Sequence, residues 1–73
     1  MEFIVKATMP GLVARVVVNK GDLVKEGQEV AVINCMKNEI SVASEKSGVV
    51  SGIKAKEWDE LQVGDPMVIL DVA

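Results

Sequence analysis

Apolar and polar residues fall into short runs of strand length, each closed by turn residues. Glu2 to Thr8 alternates loosely around Phe3, Ile4 and Val5, and Met9-Pro10-Gly11 breaks it. Leu12 to Val18 is β-branched and apolar, with Arg15 as its only charge. Asn19-Lys20-Gly21-Asp22 is a turn signal, Leu23-Val24 a strand of minimal length, and Lys25-Glu26-Gly27 the next turn. Glu29 to Cys35 and Asn38 to Ser44 are two strand runs joined tightly enough to read as a hairpin. After the turn Glu45-Lys46-Ser47-Gly48 come a strand from Val49 to Ala55, a polar stretch from Lys56 to Asp59 broken by Trp58, a turn at Val63-Gly64-Asp65-Pro66, and a last strand from Met67 to Val72. No window holds apolar residues at helical spacing over the ~11 residues that a helix requires. Propensity alone would allow a helical turn or two from Lys54 to Leu61.

The chain repeats itself, which argues against that helix. Gly11 and Gly48 stand 37 residues apart. In that register Val13 aligns with Val50, Val16 with Ile53, Asp22 with Asp59, Val24 with Leu61 and Gly27 with Gly64. Val30 aligns with Met67, Val32 with Ile69 and Ile33 with Leu70. Each half is then strand, turn, short strand, glycine turn, strand, and Lys56 to Asp59 becomes a turn. Residues 11–34 are expected to superpose on residues 48–71. The fold class expected is all-β: a flattened sandwich of two similar halves. Matching turns at Gly27 and Gly64 call for positive φ, and Pro66 opens a strand, where its missing N–H is tolerated. On this reading the central hairpin lies outside the repeat, at one end, with the chain termini near the other.

That hairpin carries a local conflict. Tight hairpin turns favour Asn-Gly or Asp-Gly, because their central residues need φ > 0, yet Met36 and Lys37 stand here. A local choice that opposes the fold marks a place to look for function. The hairpin lifts one lysine to its tip.

Composition narrows the chemistry. With 73 residues, one cysteine and no histidine, residues 1–73 form one domain without an internal disulfide or a Cys/His zinc site. The net charge of -3 and the lack of a basic run speak against nucleic acid. The apolar runs are too short to span a bilayer, so no membrane contact is expected of this domain. A free thiol and an N-terminus unlike a signal peptide suit a cytoplasmic location.

Several stretches together resemble the biotinyl/lipoyl carrier domain family, over essentially the whole chain. Met9-Pro10-Gly11-Leu12-Val13, Gly21-Asp22-x-Val24-x-x-Gly27-Gln28, Cys35-Met36-Lys37-Asn38 and Ser47-Gly48-x-Val50 match its motifs in order and spacing. The resemblance implies a flattened barrel of two four-stranded antiparallel sheets with quasi-two-fold symmetry. It implies biotin bound covalently to Lys37, flanked by Met36, Cys35 and Asn38. Lipoyl domains commonly place an acidic residue before the lysine, so Met36 favours the biotinyl branch. Cys35 and Asn38 depart from its usual Ala-Met-Lys-Met. The function implied is a biotin carboxyl carrier, non-catalytic itself, moving a carboxyl group between a biotin carboxylase and a carboxyltransferase after modification by a biotin protein ligase. A lipoyl carrier and an unmodified structural adaptor of the same fold are the alternatives. Acylation of Lys37 would remove one positive charge from the formal net of -3.

The remaining residues have plainer expectations. Cys35 is a core filler, since no histidine can act as its base, and Met36 is exposed and soft enough for partner contact. Trp58 aligns with Gly21, where a bulky residue at φ > 0 would be an outlier, so its turn is expected to be rebuilt and its ring to cap the core, with partner docking as the lesser reading. Glu57, Asp59 and Glu60 read as a solvated turn, with Asp22 and Asp59 bonding turn backbone. At the tip the family places Met36 and Lys37 at the turn centre. Propensity would allow Lys37 and Asn38, because Asn tolerates the left-handed region better. Sliding the centre by one residue changes no inward-facing position, so hydrophobic pattern cannot choose. The Met36-Lys37 centre is preferred, with Lys37 at positive φ, in solvent and free of salt bridges.

Overall fold

The structure is a computed structural model that describes residues 1–72; Ala73, the last residue of the expected 1–73 domain, lies outside them. Eight strands follow in order: β1 Glu2–Lys6, β2 Gly11–Val16, β3 Leu23–Val24, β4 Glu29–Cys35, β5 Asn38–Ala43, β6 Gly48–Ile53, β7 Glu60–Leu61 and β8 Pro66–Asp71. They form two four-stranded sheets, β1-β8-β6-β3 and β5-β4-β2-β7, with antiparallel neighbours throughout. Lys54 to Leu61 is turn and strand, as the repeat requires.

A pseudo-two-fold relates the sheets strand by strand, and it is visible in the core. Val5, Val13, Val18, Val24, Val30, Ala31 and Ile33 are buried, and so are Val42, Val50, Ala55, Leu61, Met67, Val68 and Leu70, their counterparts 37 residues on. Two similar halves thus bury the same positions against each other, mainly with β-branched residues that suit a pleated surface. The bulges obey the same symmetry: the register slips between Val13 and Arg15 on β2 and between Val50 and Gly52 on β6.

The turns match to a few tenths of an ångström. Asn19 N–H donates to the Asp22 carboxylate at 2.8 Å, and Lys56 N–H to the Asp59 carboxylate at 2.9 Å. Gly21 N–H reaches the Val50 carbonyl at 2.8 Å, and Trp58 N–H the Val13 carbonyl at 2.7 Å. Gly27 and Gly64 sit at φ 86° and 92° in equivalent turns, donating to Ser44 and Ala7 carbonyls at 2.7 and 2.9 Å. Asp22 and Asp59 are therefore turn braces, as expected.

Three expectations are corrected. The Trp58 turn is not rebuilt: Trp58 adopts φ 70° where Gly21 has 97°, and the shared hydrogen bonds hold it there. Its ring does not cap the core; the residue is 65 % exposed. The repeat also reaches further than residues 11–34. β5 is the counterpart of β1, and Ser44 of Ala7, so only the hairpin tip stands outside it. Residues 2–7 and 39–44 share little beyond their burial alternation, which hid the relation. Cys35 and Asn38, which flank the tip, match Val72 and Met1, where Val72 N–H donates to the Met1 carbonyl at 2.7 Å. The pseudo-two-fold therefore exchanges the tip with the paired termini.

Candidate modification site at the hairpin tip

β4 and β5 pair without a break up to the tip: Ile33 with Ile40, Asn34 with Glu39, Cys35 with Asn38. Only Met36 and Lys37 remain between the last paired residues. Both have positive φ, 51° and 70°. This is the positive-φ pair that a two-residue hairpin demands, with neither of the residues that adopt it cheaply. The turn centres on Met36-Lys37, not on Lys37-Asn38. Register decides it: Cys35 opposite Asn38 leaves no other two-residue link, and the long paired ladder below outweighs the local preference.

The tip projects. Met36 is 89 % exposed and Lys37 and Asn38 are exposed, whereas Cys35 is half-buried at the end of β4. Cys35 thus plugs the end of the strand pair rather than sitting deep in the core. Ion pairs among the described residues join the N-terminus to Asp71 and Arg15 to Glu39, and neither involves Lys37. The Arg15–Glu39 pair, 3.4 Å apart, ties β2 to the start of β5, two residues after Lys37. The lysine ammonium is left at the end of its own four-carbon stem, on a rigid pedestal.

Gly11 sets that pedestal. A Cβ there would stand 2.6 Å from the Asn34 carbonyl oxygen and 2.7 Å from Ile33 Cγ2. β2 can therefore run hard against the end of β4, two residues below the turn. The counterpart Gly48 makes the same approach to the Asp71 carbonyl, at 2.6 Å beside the termini. Sequence reasoning used Gly11 only to frame the repeat and missed this contact. A glycine opening a strand straight after Met9-Pro10 was the available signal. It also missed that Leu12 pairs with Glu60, and that with Pro10 and Gly11 they wall a shallow depression beside Met36 and Lys37.

The tip offers an exposed primary amine with no ion pair or side-chain hydrogen bond among the described residues. Among the described residues, no group of three or more His, Cys, Asp or Glu is placed to hold a metal. This arrangement leaves the Lys37 amine open to solvent.

Comparison with known proteins gives the family. The family model described as biotin-requiring enzyme matches residues 4–70. The chain belongs to this family. It is 39 % identical over 66 residues to the biotin/lipoyl attachment protein of Bacillus subtilis (strain 168), covering 90 % of each chain. It is 43 % identical over 68 residues to the mitochondrial propionyl-CoA carboxylase alpha chain of Sus scrofa, covering 93 % of this chain and 9 % of that one. Among solved structures, the urea carboxylase of Kluyveromyces lactis superposes with a TM-score of 0.90 at 30 % identity, over 97 % of this chain and 6 % of the enzyme. The chain thus spans under a tenth of the carboxylases and nine-tenths of the attachment protein. The family fold, two antiparallel four-stranded sheets, is the fold found here.

Proposed function

We propose that this domain is a biotin carboxyl carrier, with biotin attached through an amide to the Lys37 ε-nitrogen. The observation that carries the reading is Lys37 itself: exposed, free of ion pairs among the described residues, and preceded by Met36 at the centre of a strained two-residue turn. Positive φ at two bulky residues costs of order 1–3 kcal/mol each, and such strain concentrates at working sites. The family match supports the cofactor class.

The chain's own part is presentation. The ladder from Ile33–Ile40 to Cys35–Asn38 fixes where the tether begins, and the lysine stem gives it reach. Biotin, when bound, supplies an atom that takes up and releases a carboxyl group. Tethering keeps that atom at high effective concentration around two partner sites, a biotin carboxylase and a carboxyltransferase, in a reducing cytoplasm. The domain contributes no catalytic group. Attachment requires a biotin protein ligase to join the free amine to the biotin carboxyl group with net loss of water.

The direct test is intact mass after co-expression with a biotin ligase. The wild type should gain one biotin and Lys37→Ala none. An unmodified wild type, or a Lys37→Ala variant that gains biotin, refutes the reading. A lipoyl carrier remains the second reading, since the Bacillus subtilis relative is named for both groups. Labelling side by side with the two ligases separates them. An unmodified adaptor is disfavoured by a hairpin closed in two residues around an exposed lysine.

A further inference from the structure

Beyond the tip, Trp58 is the one non-glycine residue with positive φ among the described residues. Its counterpart is a glycine in a turn that is otherwise the same. The fold therefore has no use for an indole at this position. The ring does not serve the core either, for the residue is 65 % exposed. A bulky aromatic in a glycine conformation, left in water, points to a contact outside the chain.

Its position says with what. Trp58 N–H holds the Val13 carbonyl, and Val13 pairs with Ile33, three residues before Met36. Strand rise and strand spacing put the Trp58 backbone about 10 Å below the turn and about 10 Å across from it, or roughly 14 Å away. A standard protein interface takes roughly 800 Å² from each partner, a disc of about 16 Å radius. The domain itself is only 17 Å wide on its two short axes. An enzyme that acts on the Lys37 amine must close on the amine itself, so an ordinary interface centred there covers Trp58. An enzyme acting at the far end of a tether need not touch the sheet. Between the Trp58 backbone and the tip lie Leu12, 41 % exposed, and Glu60, both on the wall of the depression at the tip.

Charge narrows the partner. Glu57 and Glu60 are exposed and in no ion pair among the described residues, while Asp59 is engaged by Lys56 N–H. Lys56 offsets only one of the three carboxylates. An indole flanked by carboxylates is a seat for a guanidinium or ammonium group, which stacks on the ring while the acids pair with it.

We infer that Trp58, with Leu12 and Glu60 beside it, is a docking surface for the ligase that acylates Lys37, and that the ligase presents a cationic side chain to the indole. This rests on the proposed modification of Lys37. The test is steady-state labelling with a biotin protein ligase at varied carrier concentration. Trp58→Gly recreates the Gly21 turn, so it keeps the fold, which thermal melting verifies. It should raise the KM for the carrier about five- to thirtyfold, as loss of an interface anchor does, with kcat unchanged. Gly21→Trp, the mirror change on the other sheet, should leave KM within about twofold. The double variant Glu57→Gln/Glu60→Gln should raise KM at low salt and flatten its salt dependence. A Trp58→Gly KM within twofold of wild type, an effect confined to kcat, an equal effect from Gly21→Trp, or an unaltered salt dependence in the double variant overturns the inference. A wild type that is never labelled refutes the Lys37 reading instead.

Discussion

Gly11→Ala tests how the pedestal is built. The new methyl would lie 2.6 Å from the Asn34 carbonyl oxygen and 2.7 Å from Ile33 Cγ2, where ordinary contact begins at 3.4 Å. Something must move by most of an ångström, and neither neighbour yields cheaply. The oxygen is backbone within the β2–β4–β5 ladder, and Ile33 is fully buried. Overpacking of this kind costs about 1–3 kcal/mol. A domain of this size has roughly 4–11 kcal/mol to lose, so the variant stays folded. The melting temperature should fall by roughly 5–20 °C. Gly48→Ala is the internal control, because its methyl meets the Asp71 carbonyl at the same 2.6 Å. Stability should fall in both, and further in Gly11→Ala, whose methyl also meets Ile33 Cγ2 at 2.7 Å where the nearest side-chain atom at Gly48 is 3.4 Å away. Labelling should fall only in Gly11→Ala: Asn34 lies two residues before Met36, whereas Asp71 lies beside the chain ends.

Urea denaturation followed by circular dichroism measures the stability; Trp58 fluorescence is a poor probe because the residue is already 65 % exposed. Time courses of intact mass with biotin ligase, run well below both melting temperatures, measure the labelling. Gly11→Ala should label at least about tenfold more slowly, given what a misplacement near an ångström costs a bimolecular step. Gly48→Ala should match the wild type. Equal slowing in the two variants, or no loss of stability in either, would refute the argument that Gly11 positions the tip.

Other changes probe the frame. Gly27→Val and Gly64→Val should each lose more than about 1 kcal/mol, and by similar amounts, because both glycines have positive φ and no neighbour within 4 Å to add a clash; unequal losses in urea titrations would break the symmetry argument. Trp58→Gly should be no less stable than the wild type and more stable by about 1 kcal/mol, since it relieves a left-handed tryptophan that buries little; a fall in melting temperature would mean the ring supports the fold after all.

Most of the fold was legible because burial and turn chemistry pointed the same way twice. Val13 and Val50, Asp22 and Asp59, Gly27 and Gly64 each carry a physical requirement that recurs at one spacing, and the structure meets each pair alike. The β1–β5 relation was not legible, because edge strands need only alternate: Ile4 faces Ser41 in the alignment, and Lys6 faces Ala43. At the tip, hydrophobic pattern left two turn centres open; the family resemblance chose Met36-Lys37, and the structure bears that geometry out. Residue preference favours Asn38 at positive φ, and only the paired register of Cys35 and Asn38 moves the turn to Met36-Lys37. Trp58 was misread because a steric rule was applied to one residue alone. The rule states a cost, and four backbone and side-chain hydrogen bonds around that turn meet it.

The symmetry also separates what the fold needs from what the sequence adds to it. Where both halves agree, packing or backbone geometry explains the residue. Where they differ, it often does not. Ser44 replaces Ala7, yet its hydroxyl bridges Lys46 N–H and C=O, so that difference is structural. Trp58 for Gly21 and Glu60 for Leu23 have no such account. Both lie on the sheet β5-β4-β2-β7 or the turn leading into it. A lysine presented only to solvent would need the turn alone. Departures on the same sheet as the hairpin are what the proposed docking surface requires.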